Sequence, residues 1–376
     1  MPGNLAEAQL EAPTDHAHTM QCMEVWGSLG IVEDAATMPG LDIWVLARPH
    51  DGAAEGGDLH VCSSCGTGRI SRVILADVSG HGAKVAELGG VLRGLVRRFV
   101  NSIDHGVLLT RLNNEFHERA TLGKFATAVL CTYFEPSGVM TISSAGHPRP
   151  LVYSTRSRRW RFFGDGPNDR AAAPEAKSVG GGAAHERVGA DGEGPANTPL
   201  GVLEDAQYAS VPMRMSPGDV VVFYTDSLVE ARTGTTAAGG AILLGEAALL
   251  SLAESITREE RAASRSGEVG AATLAKRLVH AVERACENGI DHSGKNVKHG
   301  IDDDTTVLVV RINRKVARQS FFAALAVQLR FVGMCVRALL PRGGPIPWPE
   351  WSKANILGKL RPAWQRSLGE RVSWNE

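Results

Sequence analysis

Apolar positions along the chain fall into two periods. Short runs rich in Val, Ile, Thr and aromatic residues recur at about 23–32, 41–48 (LDIWVLAR), 71–77 (SRVILAD), 125–134 (FATAVLCTYF), 138–146 (GVMTISSAG), 150–154, 218–226 (GDVVVFYTD) and 302–312 (DDDTTVLVVRI), and these predict strands. The segment 83–103 instead carries apolar residues at 85, 88, 92, 95, 96 and 99, the spacing of one helical face. Further helices are expected over 106–120, 245–257 and 271–287. Strand-rich blocks at both ends with helices between them favour an α+β sandwich over a doubly wound sheet. No internal repeat is present.

Three segments break the pattern. Residues 1–20 hold few large apolar side chains and read as a disordered lead-in. Residues 155–197 become rich in Gly, Ala and Pro after Phe163 and read as a mobile insertion. From Arg314 to Glu376 the chain has 11 Lys and Arg against 3 Asp and Glu, a net of +8, which leaves −9 for the first 313 residues. Four of the seven Trp (Trp348, Trp351, Trp364, Trp374) also lie in this last segment.

The domain plan is therefore a lead-in over 1–20, a folded domain over 21–313 interrupted at 155–197, and a basic C-terminal extension over 314–376. In the extension, Lys315, Arg318, Arg330 and Arg337 share one face of an otherwise apolar helix spanning 315–340. A membrane-spanning placement would put Arg330 near the bilayer centre at about 2.5–3.5 kcal/mol. Docking on the domain or a partner, or lying in the plane of an anionic membrane surface, avoids that cost. Nucleic acid is not expected as a partner, since no recognition motif accompanies the charge.

Composition narrows the class. With 43% apolar and 22% charged residues the chain can build an ordinary globular core. Six Cys and no leader-like N-terminus argue against a disulfide framework and for a reducing cytosol, with the extension as a candidate peripheral contact at the inner membrane face.

The chemistry lies in acids at strand edges. Asp58 follows two glycines, Asp77 ends ILAD, Asp226 ends VVFYTD, and Asp303 opens DDTTVLVV. A rigid sheet can aim such carboxylates into one cleft. Hard oxygen ligands without paired Cys or His select Mg²⁺ or Mn²⁺ over Zn²⁺. Four converging carboxylates repel one another unless cations neutralise them, and two such ions can activate a water and clamp a phosphoryl group. Taken one at a time, each Asp also reads as ordinary turn chemistry.

Seven segments, GGDLH, ADVSGHGAKVA, FATAVLCTYF, SAGHPRPLVY, TPLGV, GDVVVFYTDSLVEA and DDTTVLVVRI, occur in the order found in SpoIIE-type phosphatases. The chain resembles this bacterial branch of the PPM, or type 2C, metal-dependent protein serine/threonine phosphatases over about residues 40–313. The resemblance implies a β-sandwich flanked by helices with two Mn²⁺ or Mg²⁺ ions at one end of the sheets. It places metal ligands at Asp58, Asp77, the Val78 backbone carbonyl, Asp226 and Asp303, with Asp302 as the alternative register, and catalytic roles at Asp58 and Asp77. The implied reaction is hydrolysis of a phosphoserine or phosphothreonine monoester by a metal-activated water. The implied substrate is a phosphorylated STAS-domain antagonist of an anti-sigma factor, in a partner-switching pathway.

Position 227 departs from the family, with Ser where Gly is usual. If that position needs a positive φ or lies against a metal-bound water, Ser would be strained or would crowd the site; in a permissive turn nothing changes. A catalytically weak module that uses the same fold as a regulatory binding protein is therefore the alternative function. His81 in SGHG could protonate the leaving oxygen, or serve as a turn residue bonded to backbone. His147 in AGHP reads as structural. Cys62 and Cys65 form one isolated CxxC, which lacks the second pair a zinc site needs; it reads as a hairpin loop, or as a redox switch. Asp15, His16 and His18 could hold a metal only loosely in a disordered lead-in.

Overall fold

The computed structural model describes residues 18–20, 25–64, 69–80, 82–100, 102, 104–120, 123–166, 198–236, 240–263, 270–287, 290–291 and 300–313. The strands are β1 (His18–Thr19), β2 (Val25–Gly30), β3 (Val32–Met38), β4 (Leu41–Arg48), β5 (Glu55–Ser64), β6 (Ile70–Val78), β7 (Ala126–Phe134), β8 (Val139–Ala145), β9 (Leu151–Ser154), β10 (Arg159–Phe162), β11 (Val211–Arg214), β12 (Val220–Tyr224), β13 (Arg232–Thr235), β14 (Ala241–Leu243), β15 (Ile290–Asp291) and β16 (Thr305–Ile312). The helices are α1 (Ala83–Phe99) and α2 (His105–Arg119), between β6 and β7, and α3 (Gly245–Ala263) and α4 (Ala271–Glu287), between β14 and β15.

Two large sheets face each other. One has seven strands in the order β1-β3-β4-β16-β12-β9-β10, the other six in the order β11-β8-β7-β6-β5-β2, and a small sheet β14-β13-β15 stands beside them. The period-2 alternation of the central strands decides which side chains enter which layer. Val221, Phe223, Leu308 and Val310 point into the core between the sheets, with Val73, Leu75, Val129 and Cys131 from the facing sheet. Val220, Val222, Tyr224, Val307 and Val309 point outward against α3 and α4. On the other side, Leu59, Ile74 and Leu130 meet Leu92, Leu108 and Phe116 of α1 and α2. The result is a four-layer α+β sandwich, the architecture expected from the sequence.

The helices follow from local chemistry. Asp104 caps α2, its carboxylate accepting from Val107 N at 3.0 Å and satisfying one orphan donor. Helix α4 buries Ala271, Leu274, Ala275, Leu278, Val279 and Val282, an unbroken i, i+3, i+4 stripe. Each of its large aliphatic side chains contributes about 1.5–3 kcal/mol by burial.

Two expectations are corrected. The lead-in stops short of residue 20: His18 and Thr19 pair in parallel with Ala36 and Thr37, and Met20 is buried in the inter-sheet core. An apolar side chain with a sheet edge beside it has both a burial site and hydrogen-bond partners. The insertion does not begin at 155. Arg159–Phe162 pairs antiparallel with β9, and its R-W-R-F alternation buries Trp160 and Phe162 while turning the arginines to the opposite face, where Arg161 donates to Met213 Sδ at 3.1 Å. Residues 1–17, 167–197 and the extension 314–376, including the 315–340 helix, lie outside the described residues. Among the described residues no helix is long and apolar enough to cross a membrane.

Candidate metal centre

The acids of β5 and β6 meet by register. Asp58 stands directly opposite Asp77, and Asp77 opposite Thr127 of β7, so three polar side chains form one row across the six-stranded sheet. The glycines of GGD make the approach possible. A Cβ on Gly56 would stand 2.5–2.8 Å from the carboxylate of Asp304, and one on Gly57 would stand 2.8 Å from the Val78 carbonyl oxygen. Neither position has room for a side chain.

The opposite sheet closes over this row. Thr225, just beyond β12, donates its backbone N–H to Thr306 O at 3.1 Å. Its hydroxyl accepts from Thr306 N at 2.9 Å and donates to Asp58 Oδ2 at 3.1 Å, which ties the two sheets together. Asp304 makes a second tie, accepting from His50 N at 2.6 Å and from Gly57 N at 2.5 Å. Asp226 opens a single 3-10 turn, Asp226–Leu228, half-buried beside this seam. Asp303 stands exposed at the rim, its Oδ1 accepting from Asp304 N at 2.8 Å.

Electrostatics marks the cluster as frustrated. Burial, then the neighbouring charge of Asp77, holds Asp58 well above the ordinary carboxyl range, opposed in part by the hydroxyls of Thr306 and Thr225. Burial and the charges of Asp226, Asp303, Asp304 and Glu230 push Asp77 up to about 8. Burial, then Glu230 and Asp303, push Asp226 up to about 6. The dominant charges on Asp77 are all negative, and Asp58 Oδ1 is buried without a hydrogen-bond partner. Among the described residues no three His, Cys, Asp or Glu side chains form a ready-made ligand cluster; these acids meet as charges around one mouth. An orphaned buried carboxylate oxygen among hard, mutually repelling donors fits a site for divalent cations such as Mg²⁺ or Mn²⁺.

Asp77 stands opposite Asp58 and feels the charges of Asp226 and Asp303, whereas Asp302 makes an ion pair with Arg232 at 3.4 Å. Val78 is fully buried at the end of β6. His81, Asp15 and His16 lie outside the described residues. His147 is buried, its Nδ1 2.8 Å from Thr127 Oγ1, and burial pushes its pKa down to about 3, which favours a neutral ring. Cys62 lies inside β5 rather than in a loop, and burial pushes its thiol up to about 12, which removes the thiolate a redox switch needs; Cys65 lies outside the described residues.

Sequence reasoning missed Asp304, Glu230 and Thr225. Asp304 was within reach as the third of three consecutive Asp. The role of Thr225 depends on cross-sheet geometry that carries no local signal. Ser227 is buried, with its hydroxyl 3.1 Å from Thr305 Oγ1 and 3.4 Å from Thr225 Oγ1. The described non-glycine residues with positive φ are Arg158 and Asp205, so Ser227 bears no left-handed strain.

Comparison with known proteins addresses the family and the fold. The family model described as stage II sporulation protein E (SpoIIE) matches residues 68–166 and 185–313. Among solved structures, the RsbU and RsbW domains of Rv1364c from Mycobacterium tuberculosis align with a TM-score of 0.51 at 20% identity, over 81% of this chain and 70% of that one. The PP2C phosphatase domain with a fragment of the regulatory domain of SpoIIE from Bacillus subtilis aligns with a TM-score of 0.50 at 14% identity, over 78% of this chain and 72% of that one. At these identities the structural likeness establishes the fold. No curated protein matches the sequence.

Proposed function

The chain belongs to the SpoIIE family, and on that premise we propose that it is a metal-dependent protein serine/threonine phosphatase whose metal ligands are Asp58, Asp77, the Val78 carbonyl, Asp226 and Asp303. The observation that carries the reading is the Asp58–Asp77 cross-strand pair facing Asp226 and Asp303, with Asp58 Oδ1 left unpartnered in the interior. Bound Mn²⁺ or Mg²⁺ would supply an activated water and offset charge on the phosphoryl oxygens. The chain's own residues hold the constellation. Thr225 orients Asp58, Asp304 pins the Gly57 backbone, and the two sheets fix the spacing of the remaining acids. A phosphoserine or phosphothreonine on a STAS-domain protein is the substrate we assign, resting on the family resemblance. Contact of 315–340 with a membrane surface or a partner is assigned from its basic face and neighbouring tryptophans alone.

The alternative, a regulatory module without turnover, drew on Ser227. Its unstrained turn and hydrogen-bonded hydroxyl answer the concern about strain and support the enzyme reading. The test is phosphate release from p-nitrophenyl phosphate with and without Mn²⁺, for wild type, Asp77→Asn and Asp226→Asn. Activity is expected to require the ion and to fall at least a hundredfold in both variants. Variants as active as wild type would refute the ligand assignment. No turnover of either this ester or a phosphorylated STAS protein would favour the binding module.

A further inference from the structure

A second site lies on the outer face of the seven-stranded sheet, between the β9–β10 hairpin and the C-terminal half of α3. A half-open cavity of about 560 Å³ opens there, within the range of about 300–1,000 Å³ typical of small-molecule sites. It is remote from the acids. Tyr153 on its wall pairs with Val220, at the opposite end of β12 from Thr225, about 16 Å away along the strand at about 3.3 Å per residue.

Four arginines border it, Arg158 and Arg159 from the hairpin and Arg258 and Arg261 from α3, against one acid, Glu254. None of the four makes an ion pair within 4.0 Å among the described residues. The nearby acids are committed elsewhere: Glu259 and Glu260 both turn to Arg277 of α4, and Glu260 also accepts from Gly270 N at 2.8 Å. Arg258 and Arg261 lie three apart on one helix face, so they repel each other. Guanidinium cannot shed its proton, so the residues around the cavity carry a net charge of about +3 at an open, solvated rim that attracts anions.

The walls are built in advance. Tyr153 and Trp160 pack with ring centroids 5.2 Å apart, and Trp160 Nε1 donates to Thr257 Oγ1 at 2.8 Å, fastening the hairpin to α3. Arg158 closes the hairpin with φ 57°, a left-handed conformation usually left to Gly or Asn, while its N–H donates to Ser154 O at 2.7 Å. A cationic side chain held at that backbone cost points to a use for its head group.

We propose that this cavity binds a phosphate-bearing polyanion of three to four negative charges, a diphosphate or triphosphate group, free or carried by a nucleotide. Arginine forks match phosphate oxygens two at a time, and several arginines around one cavity suit linked phosphates better than a single one. This inference does not depend on the phosphatase reading.

The full-length protein in EDTA, which keeps cations from bridging ligand to the acids, is titrated calorimetrically with inorganic phosphate, pyrophosphate and ATP. Saturable one-to-one binding is expected, tighter for pyrophosphate than for phosphate and weaker with added salt. ATP binding as tightly as pyrophosphate or tighter identifies a nucleotide as an acceptable source; ATP weaker than pyrophosphate identifies the free anion. Arg158→Gly and Arg258→Ala are each expected to weaken binding about tenfold, the loss of one charged hydrogen-bonded contact. Arg158→Gly is also expected to raise the melting temperature, because Gly relieves the left-handed backbone. Arg97→Ala on α1, and Arg318→Ala with Arg330→Ala in the C-terminal segment, should leave binding unchanged. The proposal is overturned by the absence of saturable binding, by cavity variants that bind like wild type, or by control variants that lose as much affinity as the cavity variants do.

Discussion

Replacing Asp77 with Asn should stabilise the metal-free protein while abolishing the proposed activity. Asp77 sits across from Asp58 and under the charges of Asp226, Asp303, Asp304 and Glu230, and its pKa rises from 3.8 to about 8. A carboxyl whose folded pKa lies above its unfolded one costs nothing below the unfolded value. The cost then grows with pH until the folded value is passed. At about 1.4 kcal/mol per pH unit, the interval from 3.8 to pH 7 amounts to roughly 4 kcal/mol, and water penetration and relaxation bring this to about 2–4 kcal/mol. Asn is neutral at every pH and nearly the same shape, so it removes that cost. At about 2 °C per kcal/mol for a domain of this size, Asp77→Asn should melt roughly 4–8 °C above wild type at pH 7 in EDTA, with the difference reduced to about a quarter of that at pH 4.5. The assay is thermal unfolding by circular dichroism from pH 4.5 to 8, with EDTA and then with millimolar Mn²⁺. Wild type should lose stability as pH rises without metal and regain it with metal, by about 2.7 kcal/mol at a hundredfold excess over the dissociation constant. The Asp77→Asn variant should keep only a shallower pH dependence, from Asp58 and Asp226, and should regain little stability with metal. A variant that melts at or below wild type at pH 7 in EDTA, or that keeps the wild-type pH slope, would refute the reading of these acids as a buried repelling cluster.

Two further outcomes follow from the seam between the sheets. Ser227→Gly should lower stability by about 1–2 kcal/mol in urea unfolding, since it gives up the bond to Thr305 Oγ1 and relieves no strain, and Mn²⁺-dependent phosphate release should not increase; a more active or more stable variant would count against the hydroxyl network. Asp304→Ala leaves the His50 and Gly57 N–H groups without their acceptor and should cost about 2–4 kcal/mol, read as a lower urea midpoint at unchanged slope; a loss under about 0.5 kcal/mol would show that the tie between β5 and β16 carries no weight.

Much of the fold could be read along the chain because its signals are local. VVVFY and TTVLVVRI alternate between two buried layers, and both became central strands with one face to the sheet core and the other to helices. Helix α4 showed its buried stripe in the 271–287 periodicity. The R-W-R-F strand was obscured because four alternating residues next to a long Gly-rich stretch carry too little pattern to stand out. Burial of Trp160 against α3, nearly a hundred positions away, is what holds it.

The candidate site divides in the same way. Local chemistry marked Asp58, Asp77, Asp226 and Asp303, since a lone acid at the end of an apolar run next to Gly or Thr is visible without coordinates. Which of three consecutive Asp faces the cluster was not visible. Side chains at 302, 303 and 304 leave the chain in different directions, and only the packing of β16 against β4 and β12 sends them respectively to Arg232, to the mouth, and to the backbone of Gly57.

The sequence by itself determined the two periodicities, the identity of the carboxylates, the basic C-terminal segment and the family, all properties of neighbouring residues or of order along the chain. Tertiary structure decided that Thr225 holds Asp58 across 167 positions, that Asp304 reaches Gly57 across 247, and that Arg158 and Arg258 share one cavity. Those contacts depend on sheet register and layer packing. A one-residue slip would turn each side chain to the opposite face, and no local run of residues encodes which register wins.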